Sequence, residues 1–169
     1  WLKVYEIPQA SRVAKGRPLV NLIQLDSEER ITSLLNVESF DAAGFVFMAT
    51  MKGVVKKTPL EDFRLPRKNG KRAIKLDAKD ELVGTKITDG KQHIMLISDA
   101  GKAVYFDEKD SRPLGRDTRG VKGIDLSEEQ KVISLMVPSL EDEILTVSEN
   151  GYGKKSKIAD FRKTKRGAK

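Results

Sequence analysis

The chain has 169 residues, of which 38% are hydrophobic and 34% charged, a composition typical of a folded domain and too apolar for a disordered tail. Its 32 lysines and arginines outnumber 25 acidic residues, and the formal net charge of +7 favours a polyanionic partner. The absence of cysteine excludes disulfides and thiolate metal sites. Together with the lack of a signal sequence or a long apolar run, it predicts a cytoplasmic protein with no membrane segment.

The first predicted strand covers residues 4–8, whose sequence VYEIP aligns with VKKTP at residues 55–59. The alignment predicts the second strand of a β-hairpin, because residues 55–59 follow a glycine turn. Since the chain starts at Trp1 and not at a methionine, we expect it to be a fragment that begins inside a repeat. Residues 30–35 form the next predicted strand, after an acidic cluster that starts at Asp26.

Three glycine turns organise the remainder of the chain into predicted hairpins. Gly53, Gly101 and Gly151 each lie between two short runs of β-forming residues, and they are 48 and 50 positions apart. Asn150 and Gly151 form the strongest of these turns, since both residues tolerate the positive φ that a two-residue hairpin loop requires. The paired runs are 47–50 with 54–57, 94–97 with 103–106, and 144–147 with 153–156.

Two further predicted strands, 81–85 and 131–136, align with residues 30–35 at offsets of 51 and 50. Each repeat of about 50 residues therefore contains four short strands, which is typical of a propeller blade. The apolar residues do not show helical spacing, so a helical solenoid is a poor match. We expect an all-β, propeller-like fold of four-stranded blades that forms an incomplete disc or open arc. The expected repeats are approximately 1–51, 52–101 and 102–151, with a stub at 152–169, all part of one domain.

A loop rich in arginine, lysine and glycine follows the second strand of every repeat, whereas acidic residues gather at the opposite turn, as at Asp77, Asp80 and Glu81. A single basic loop is typically exposed to solvent and has no binding role. Four such loops at the same position in successive repeats instead favour a positive stripe that follows the phosphates of a duplex. Glycines let a backbone approach closely and expose N–H donors to phosphate oxygens. Aromatic residues are scarce near these loops, so a duplex is favoured over single strands. The candidate DNA-binding residues, including lysines of the second hairpin strands, are Arg12, Lys15, Arg17, Lys56, Lys57, Arg64, Arg67, Lys68, Lys71, Arg72, Arg112, Arg116, Arg119, Lys122, Lys154, Lys155, Arg162, Lys163, Lys165 and Arg166.

Other candidate chemistry is weak. His93 stands at the start of a predicted strand, and a Ser-His-Asp arrangement needs more than proximity in sequence. Residues 151–156, GYGKKS, resemble a phosphate-binding loop but lack its first glycine and lie in a hairpin. The cluster from Asp77 to Glu81 lacks the calcium-loop pattern and is expected to be a solvated turn. We therefore predict no catalytic residue and no metal ligand.

Four stretches of the sequence resemble the C-terminal domain of the A subunit of bacterial DNA gyrase: VYEIPQASR at 4–12, KGRPLVNL at 15–22, FMAT at 47–50 and NGYGK at 150–154. The resemblance covers essentially the whole chain, and the C subunit of topoisomerase IV is a more distant relative. It implies a β-pinwheel whose blades exchange strands and whose basic perimeter bends and wraps duplex DNA. In the family this wrapping supports ATP-dependent negative supercoiling.

The resemblance further implies that the chain is a non-catalytic part of an ATP-hydrolysing type II topoisomerase. ATP and Mg are then used elsewhere in the holoenzyme, and this fragment holds no cofactor. Its implied partners are double-stranded DNA, the remainder of the A subunit of gyrase and, in the holoenzyme, the B subunit of gyrase. The family's hallmark heptapeptide is absent, and residues 118–123, TRGVKG, are its nearest counterpart. Three other interpretations stay open: the corresponding domain of the C subunit of topoisomerase IV, a propeller scaffold that binds a protein through its basic face and, as the weakest, a hydrolase.

Overall fold

The computed structural model of the chain describes residues 2–25, 29–40, 43–65, 67 and 70–168. Within these residues the regular structure consists of β-strands and short 3-10 helices, so the predicted all-β class is confirmed. In the same residues, no helix is long and apolar enough to cross a bilayer. The strands are β1 (Phe45–Thr50), β2 (Val54–Pro59), β3 (Leu82–Thr88), β4 (His93–Ser98), β5 (Ala103–Asp107), β6 (Val121–Lys122), β7 (Val132–Met136), β8 (Glu143–Val147) and β9 (Gly153–Lys157). The 3-10 helices are Val4–Glu6, Leu19–Asn21, Leu60–Phe63, Glu108–Asp110 and Ile158–Asp160.

The three predicted hairpins are confirmed as β1–β2, β4–β5 and β8–β9, all antiparallel. Their turn glycines, Gly53, Gly101 and Gly151, have φ of 81°, 76° and 81°, the left-handed region that glycine adopts without steric cost. The hairpins also share one register. Its equivalent pairs are Met48 with Lys56, Leu96 with Val104, and Thr146 with Lys154.

The hairpins recruit further strands to different extents. One sheet has the order β3-β1-β2-β6, a second has β5-β4-β7, and the third contains β8 and β9 alone. The four-stranded blade predicted from the repeat is thus present in full once among the described residues. In the first two sheets, the strand beside the hairpin's first strand comes from later in the chain, namely β3 or β7.

Neighbouring sheets exchange chain segments, as the resemblance implies. After β5 the chain leaves its own hairpin and runs along β2, where the N–H of Leu114 donates to the carbonyl of Lys57 at 2.8 Å and β6 then pairs with β2. After β9 the chain runs along β5 in the same way, and the N–H of Thr164 donates to the carbonyl of Tyr105 at 2.7 Å. Parallel bridges at the two crossings confirm their equivalence, Lys57 with Pro113 and Tyr105 with Lys163.

Two predicted strands are wrong. Residues 4–8 contain the exposed 3-10 helix Val4–Glu6, and no described strand lies beside them to complete a hairpin. Residues 30–35 form no strand, although the hydroxyl of Thr85 on β3 donates to that of Ser33 at 2.8 Å. In both cases β-forming residues are present, but the backbone lacks the hydrogen-bonded neighbour that a strand needs.

The main hydrophobic core lies between the first and second sheets. It joins the fully buried Phe47 of the first hairpin to Leu96 and Phe106 of the second, and it also contains Ile124, which follows β6. Burying a side chain of this size contributes roughly 1.5–3 kcal/mol. Val121 and Ala168, from the two crossing segments, are partly buried and pack against this core, which helps to hold those segments on the sheet edges.

Candidate nucleic-acid interface

Segment 112–122 lies against β2 because Gly120, and Gly123 just after the segment, permit a very close approach. Gly120 has φ of 118°, and a Cβ there would lie 2.6 Å from the carbonyl oxygen of Val55. A Cβ on Gly123 would lie 2.5 Å from the Val55 side chain and 2.9 Å from that of Leu96. These glycines therefore fit the basic segment onto the sheet. The sequence analysis assigned the glycines of the basic loops to phosphate contact. At Gly120 and Gly123, close packing against β2 explains the choice of glycine instead.

Segment 112–122 also adjoins residues 70–77 from the preceding basic loop. The N–H of Lys75 donates to the carbonyl of Thr118 at 3.0 Å. Ion pairs flank this bond on both sides, Arg72 with Asp117 at 3.4 Å and Arg119 with Asp77 at 3.1 Å. Loops of two successive repeats thus form one surface.

The last basic segment, 162–168, continues that surface. The N–H of Gly167 donates to the carbonyl of Gly123 at 2.8 Å. The guanidinium of Arg166 donates to the carbonyl of Asp110 at 3.1 Å and to that of Lys122. We call the adjoining stretches 70–77, 112–122 and 162–168 the basic strip.

The basic strip brings together ten of the predicted cations. Arg112, Arg162 and Lys165 are exposed and form no ion pair within the described residues. Arg119 and Lys122 each have an acidic neighbour, but about two thirds of each side chain remains exposed, 66% and 64%. The ten are Lys71, Arg72, Arg112, Arg116, Arg119, Lys122, Arg162, Lys163, Lys165 and Arg166.

One end of the strip concentrates positive charge. The pKa of Lys71 is lowered by desolvation, and by the nearby cations Arg116 and Arg67. The ammonium of Lys71 donates to the carbonyl of Arg64. Cations held this close repel one another, and binding of a phosphate would relieve the repulsion.

The remaining predicted cations lie apart from the strip or at its margin. Arg12, Lys15 and Arg17 are exposed, and no contact among the described residues joins them to the strip. Lys154 and Lys155 are exposed on β9, where Lys155 pairs with Glu143. Two others, Arg64 and Arg67, are exposed before residue 70, whereas Lys68 lies outside the described residues.

Lys56 is not available to a DNA backbone, contrary to its assignment as a contact residue. Its residue exposure is 0%. The ammonium donates to the carbonyls of Ala73 at 2.7 Å, Thr118 at 3.1 Å and Arg116. Burial lowers the pKa of Lys56 to about 8, and Arg116 contributes in the same direction. Lys56 therefore lies beneath the basic strip and contacts its backbone from inside.

Lys57 is also buried, with 4% of the residue exposed, and links the first two hairpins. Its ammonium donates to the backbone carbonyl of Glu108 at 3.1 Å and lies 3.8 Å from the Glu108 carboxylate. That carboxylate is fully buried and accepts hydrogen bonds from the Thr88 hydroxyl at 2.6 Å and the Gly90 N–H at 3.0 Å. The Phe45 ring lies 4.9 Å from the ammonium. Lys57 is thus a structural residue, and the expectation of a surface contact is corrected here too.

Acidic residues are less completely separated from the cations than the sequence suggested. Asp77 pairs with Arg119 within the strip. Asp80 is buried and accepts the backbone N–H groups of Lys52 and Glu81, both at 2.9 Å, so it stabilises a turn. No group of three or more potential metal ligands occurs in the part of the chain that the structure describes.

His93 contacts the margin of the strip. Its Nε2 lies 2.8 Å from the ammonium of Lys163, which is also 3.5 Å from the Asp107 carboxylate. The ring stacks at a tilt on Tyr105, with centroids 5.1 Å apart. These contacts place the histidine in the junction between the second hairpin and the last basic segment.

Comparison with known proteins gives a consistent result. The family model described as DNA gyrase C-terminal domain, beta-propeller, matches residues 1–38, 44–89, 92–139 and 142–169. Three of these matches start at Gly44, Gln92 and Asp142, whose carbonyls accept equivalent hydrogen bonds from the residue that follows each hairpin. These three matched segments therefore start at structurally equivalent positions, one at each hairpin.

Individual relatives agree with the family match. The chain is 49% identical over 161 residues to the A subunit of DNA gyrase from Klebsiella oxytoca, covering 95% of this chain and 18% of that protein. The solved C-terminal domain of DNA topoisomerase IV is 30% identical with a TM-score of 0.85, over 90% of this chain and 48% of that one. The solved DNA gyrase A C-terminal domain is 29% identical with a TM-score of 0.79, over 92% of this chain and 52% of that one.

Proposed function

Because the chain belongs to the family of DNA gyrase C-terminal domains, we propose that it binds and bends duplex DNA along the basic strip. The observation that carries this proposal is the fusion of three basic segments into one surface. Lys75 donates to Thr118 across the first junction, and Gly167 donates to Gly123 across the second. A continuous row of cations can follow the recurring phosphates of a duplex, whereas isolated basic loops cannot.

The binding is expected to be largely independent of DNA sequence. The strip consists of arginines and lysines on exposed segments, and cations that address phosphates carry no sequence information by themselves. Non-specific binding of this kind has a dissociation constant of about 10⁻⁴ to 10⁻⁶ M at physiological salt.

Bending is expected to require several segments at once. Bending a site of 20–30 base pairs by 40–90° costs about 1–6 kcal/mol, more than one phosphate contact offsets. Segments 112–122 and 162–168 are fixed to successive hairpins, so their contacts add along an arc. Within the described residues the sheets do not close on themselves, which agrees with an open arc.

The activity of the whole protein follows from its relatives and is part of the proposal. The chain spans only 18% of the Klebsiella oxytoca protein. We propose that the complete protein is an ATP-dependent type II topoisomerase that introduces negative supercoils, and that ATP and Mg act outside this chain. Its partners would be the remainder of the A subunit of gyrase and, in the holoenzyme, the B subunit of gyrase, in the cytoplasm. We also propose that the chain is part of one β-pinwheel domain, with repeats near 1–51, 52–101 and 102–151.

Titration of fluorescent duplexes of unrelated sequence across a salt series tests the proposal. We expect similar affinities for all sequences, and a log affinity that falls with log salt by about 0.9 per phosphate neutralised. A triple Arg112→Ala, Arg116→Ala, Arg119→Ala variant should bind more weakly with a shallower slope. The charge-matched control replaces the exposed lysines Lys79, Lys91 and Lys131.

End-to-end energy transfer on a short labelled duplex measures bending in the same variants. The strip variant should lose transfer, whereas the charge-matched control should retain it. Equal losses in both variants, or strong preference for one sequence, would overturn the proposed binding mode. A weak salt response with no duplex binding would instead favour a scaffold for a protein partner.

A further inference from the structure

Lys56 occupies a position that polar residues rarely occupy. It lies in the middle of β2, and its strand neighbour Val55 packs in the main core. Burying an ammonium costs several kcal/mol unless its donors are satisfied. A lysine ammonium has three N–H donors, and Lys56 has three carbonyl acceptors, at Ala73, Arg116 and Thr118. Its hydrogen-bonding capacity is therefore matched by the surrounding backbone.

The three acceptors come from two different basic segments. Ala73 belongs to residues 70–77, whereas Arg116 and Thr118 belong to residues 112–122. The two carbonyls of the second segment flank Asp117, which pairs with Arg72. One buried ammonium thus fixes the backbone on both sides of the first junction in the strip.

The second junction shows that a strand can be crossed without such a lysine. In the shared hairpin register, the position of Lys56 is held by Val104, which lies in the hydrophobic core. There the crossing segment supplies its own donor, because Arg166 binds the carbonyls of Asp110 and Lys122. A chain segment can therefore run along a neighbouring hairpin without a buried cation beneath it. The contacts of Lys56 are specific to the first junction.

We infer that Lys56 is a positioning residue for DNA binding, which holds segments 70–77 and 112–122 together from beneath so that Arg116 and Arg119 face one phosphate path. The binding of DNA by these arginines rests on the proposed function. The placement of the two segments by Lys56 rests on the hydrogen bonds of its ammonium and is independent of that proposal. Lys56 itself never touches DNA, since it is fully buried.

The test compares Lys56→Met with Val104→Ala. Methionine keeps the apolar stem and removes the donors, whereas Val104→Ala destabilises the equivalent position of the next hairpin. For Lys56→Met we expect faster amide exchange at 70–77 and 112–122, and a salt slope of duplex binding that is shallower by about one to two units, at 0.9 for each phosphate that is no longer neutralised. Val104→Ala should keep the wild-type slope, because partial unfolding lowers the amount of active protein without changing the number of phosphates bound.

Two results would overturn the inference. One is a Lys56→Met variant with wild-type exchange and a wild-type slope, and the other is equal flattening of the slope in Val104→Ala. If Lys56→Met does not fold, amine acetylation of the native wild-type chain decides. Lys56 should resist labelling while Lys154 reacts, and equal labelling would contradict the placement. If the wild type binds no duplex, the proposed function fails, but the exchange comparison still tests the role of Lys56.

Discussion

The hairpins β1–β2 and β8–β9 share a sequence pattern and a strand register, but they differ in what covers them. Residues 53–58 read GVVKKT and residues 151–156 read GYGKKS. In the first hairpin, flanked by β3 and β6, the two lysines are 0% and 4% exposed. In the second, which has no further strand among the described residues, both lysines are exposed, and Leu145 is 67% exposed. The strands and segments that flank the hairpin, and not the hairpin itself, therefore account for the burial of these lysines.

The middle hairpin supports this conclusion. Its equivalents of Lys56 and Lys57 are Val104 and Tyr105; both are buried, and segment 162–168 runs along the edge of their strand. Apolar and cationic residues therefore occupy the same covered environment. A cation is accommodated only where backbone carbonyls or a carboxylate lie within reach, as Glu108 does for Lys57.

The largest expected difference between the covered and the bare hairpin concerns their ion pairs. Glu108→Ala leaves the buried Lys57 without its carboxylate, and breaking a buried pair typically costs about 3–5 kcal/mol. Glu143→Ala removes the exposed partner of Lys155, where a surface pair contributes about 0–1 kcal/mol. Urea denaturation of both variants measures the two losses. Equal losses would show that the Lys57–Glu108 link is not a stabilising feature of the covered hairpin.

A second contrast uses the apolar position at the centre of each first strand. Met95 is fully buried and Leu145 is its exposed equivalent in the shared register. Met95→Ala should cost about 2–5 kcal/mol of unfolding free energy through reduced burial and the cavity that remains. Leu145→Ala should change stability by less than about 0.5 kcal/mol. Thermal unfolding followed by circular dichroism measures both changes in stability. A large loss of stability in Leu145→Ala would mean that the third hairpin is covered in solution.

The smallest expected change in the free energy of unfolding, for each pH unit, comes from the titration of Lys56. Burial holds its pKa near 8, with Arg116 acting in the same direction and Asp117 and Asp62 opposing. In the unfolded chain the lysine titrates near its ordinary pKa of about 10.4. Between these values the unfolded state binds more protons, so the free energy of unfolding should rise with pH by up to about 1.4 kcal/mol per unit.

Lys56→Met should lack that rise. We therefore expect urea titrations at several pH values between 8 and 10.5 to show that the free energy of unfolding of the wild type, minus that of the variant, increases with pH. Parallel curves for the two proteins would show that Lys56 titrates like an exposed lysine.

The repeat in the sequence was sufficient to predict the three hairpins, because glycine turns and β-forming runs are local signals. It was not sufficient for residues 30–35, since a strand also requires a neighbouring backbone, and among the described residues this stretch has no strand assignment, although Thr85 donates to Ser33. The sequence also predicts the basic loops that form the strip, because they recur at the same position in each repeat. The continuity of the strip depends on contacts between repeats, such as that of Arg166 with Lys122, which no local pattern encodes.

Lys56 and Lys57 were misassigned because a lysine on a strand is typically solvated. One signal could have corrected this: the aligned run of the next repeat, 103–106, reads AVYF and is apolar throughout. Such an alignment indicates a position that is buried where the hairpin is covered, since Lys154 and Lys155 align with the same run but are exposed on the uncovered third hairpin. The partner Glu108 could have been found in the same way, since its equivalents after the other hairpins, Leu60 and Ile158, are buried apolar residues.

Lysine footprinting by acetylation, with and without a duplex of 30 base pairs or so, tests the central claim that DNA follows the basic strip. DNA should protect the exposed strip lysines Lys122 and Lys165, and it should leave Lys79 and Lys131 at the acidic turns fully reactive. Lys56 should stay unreactive in both states, because it is buried beneath the strip. Protection of Lys79 and Lys131 with unchanged labelling of Lys122 and Lys165 would place the DNA at the acidic turns and contradict the claim.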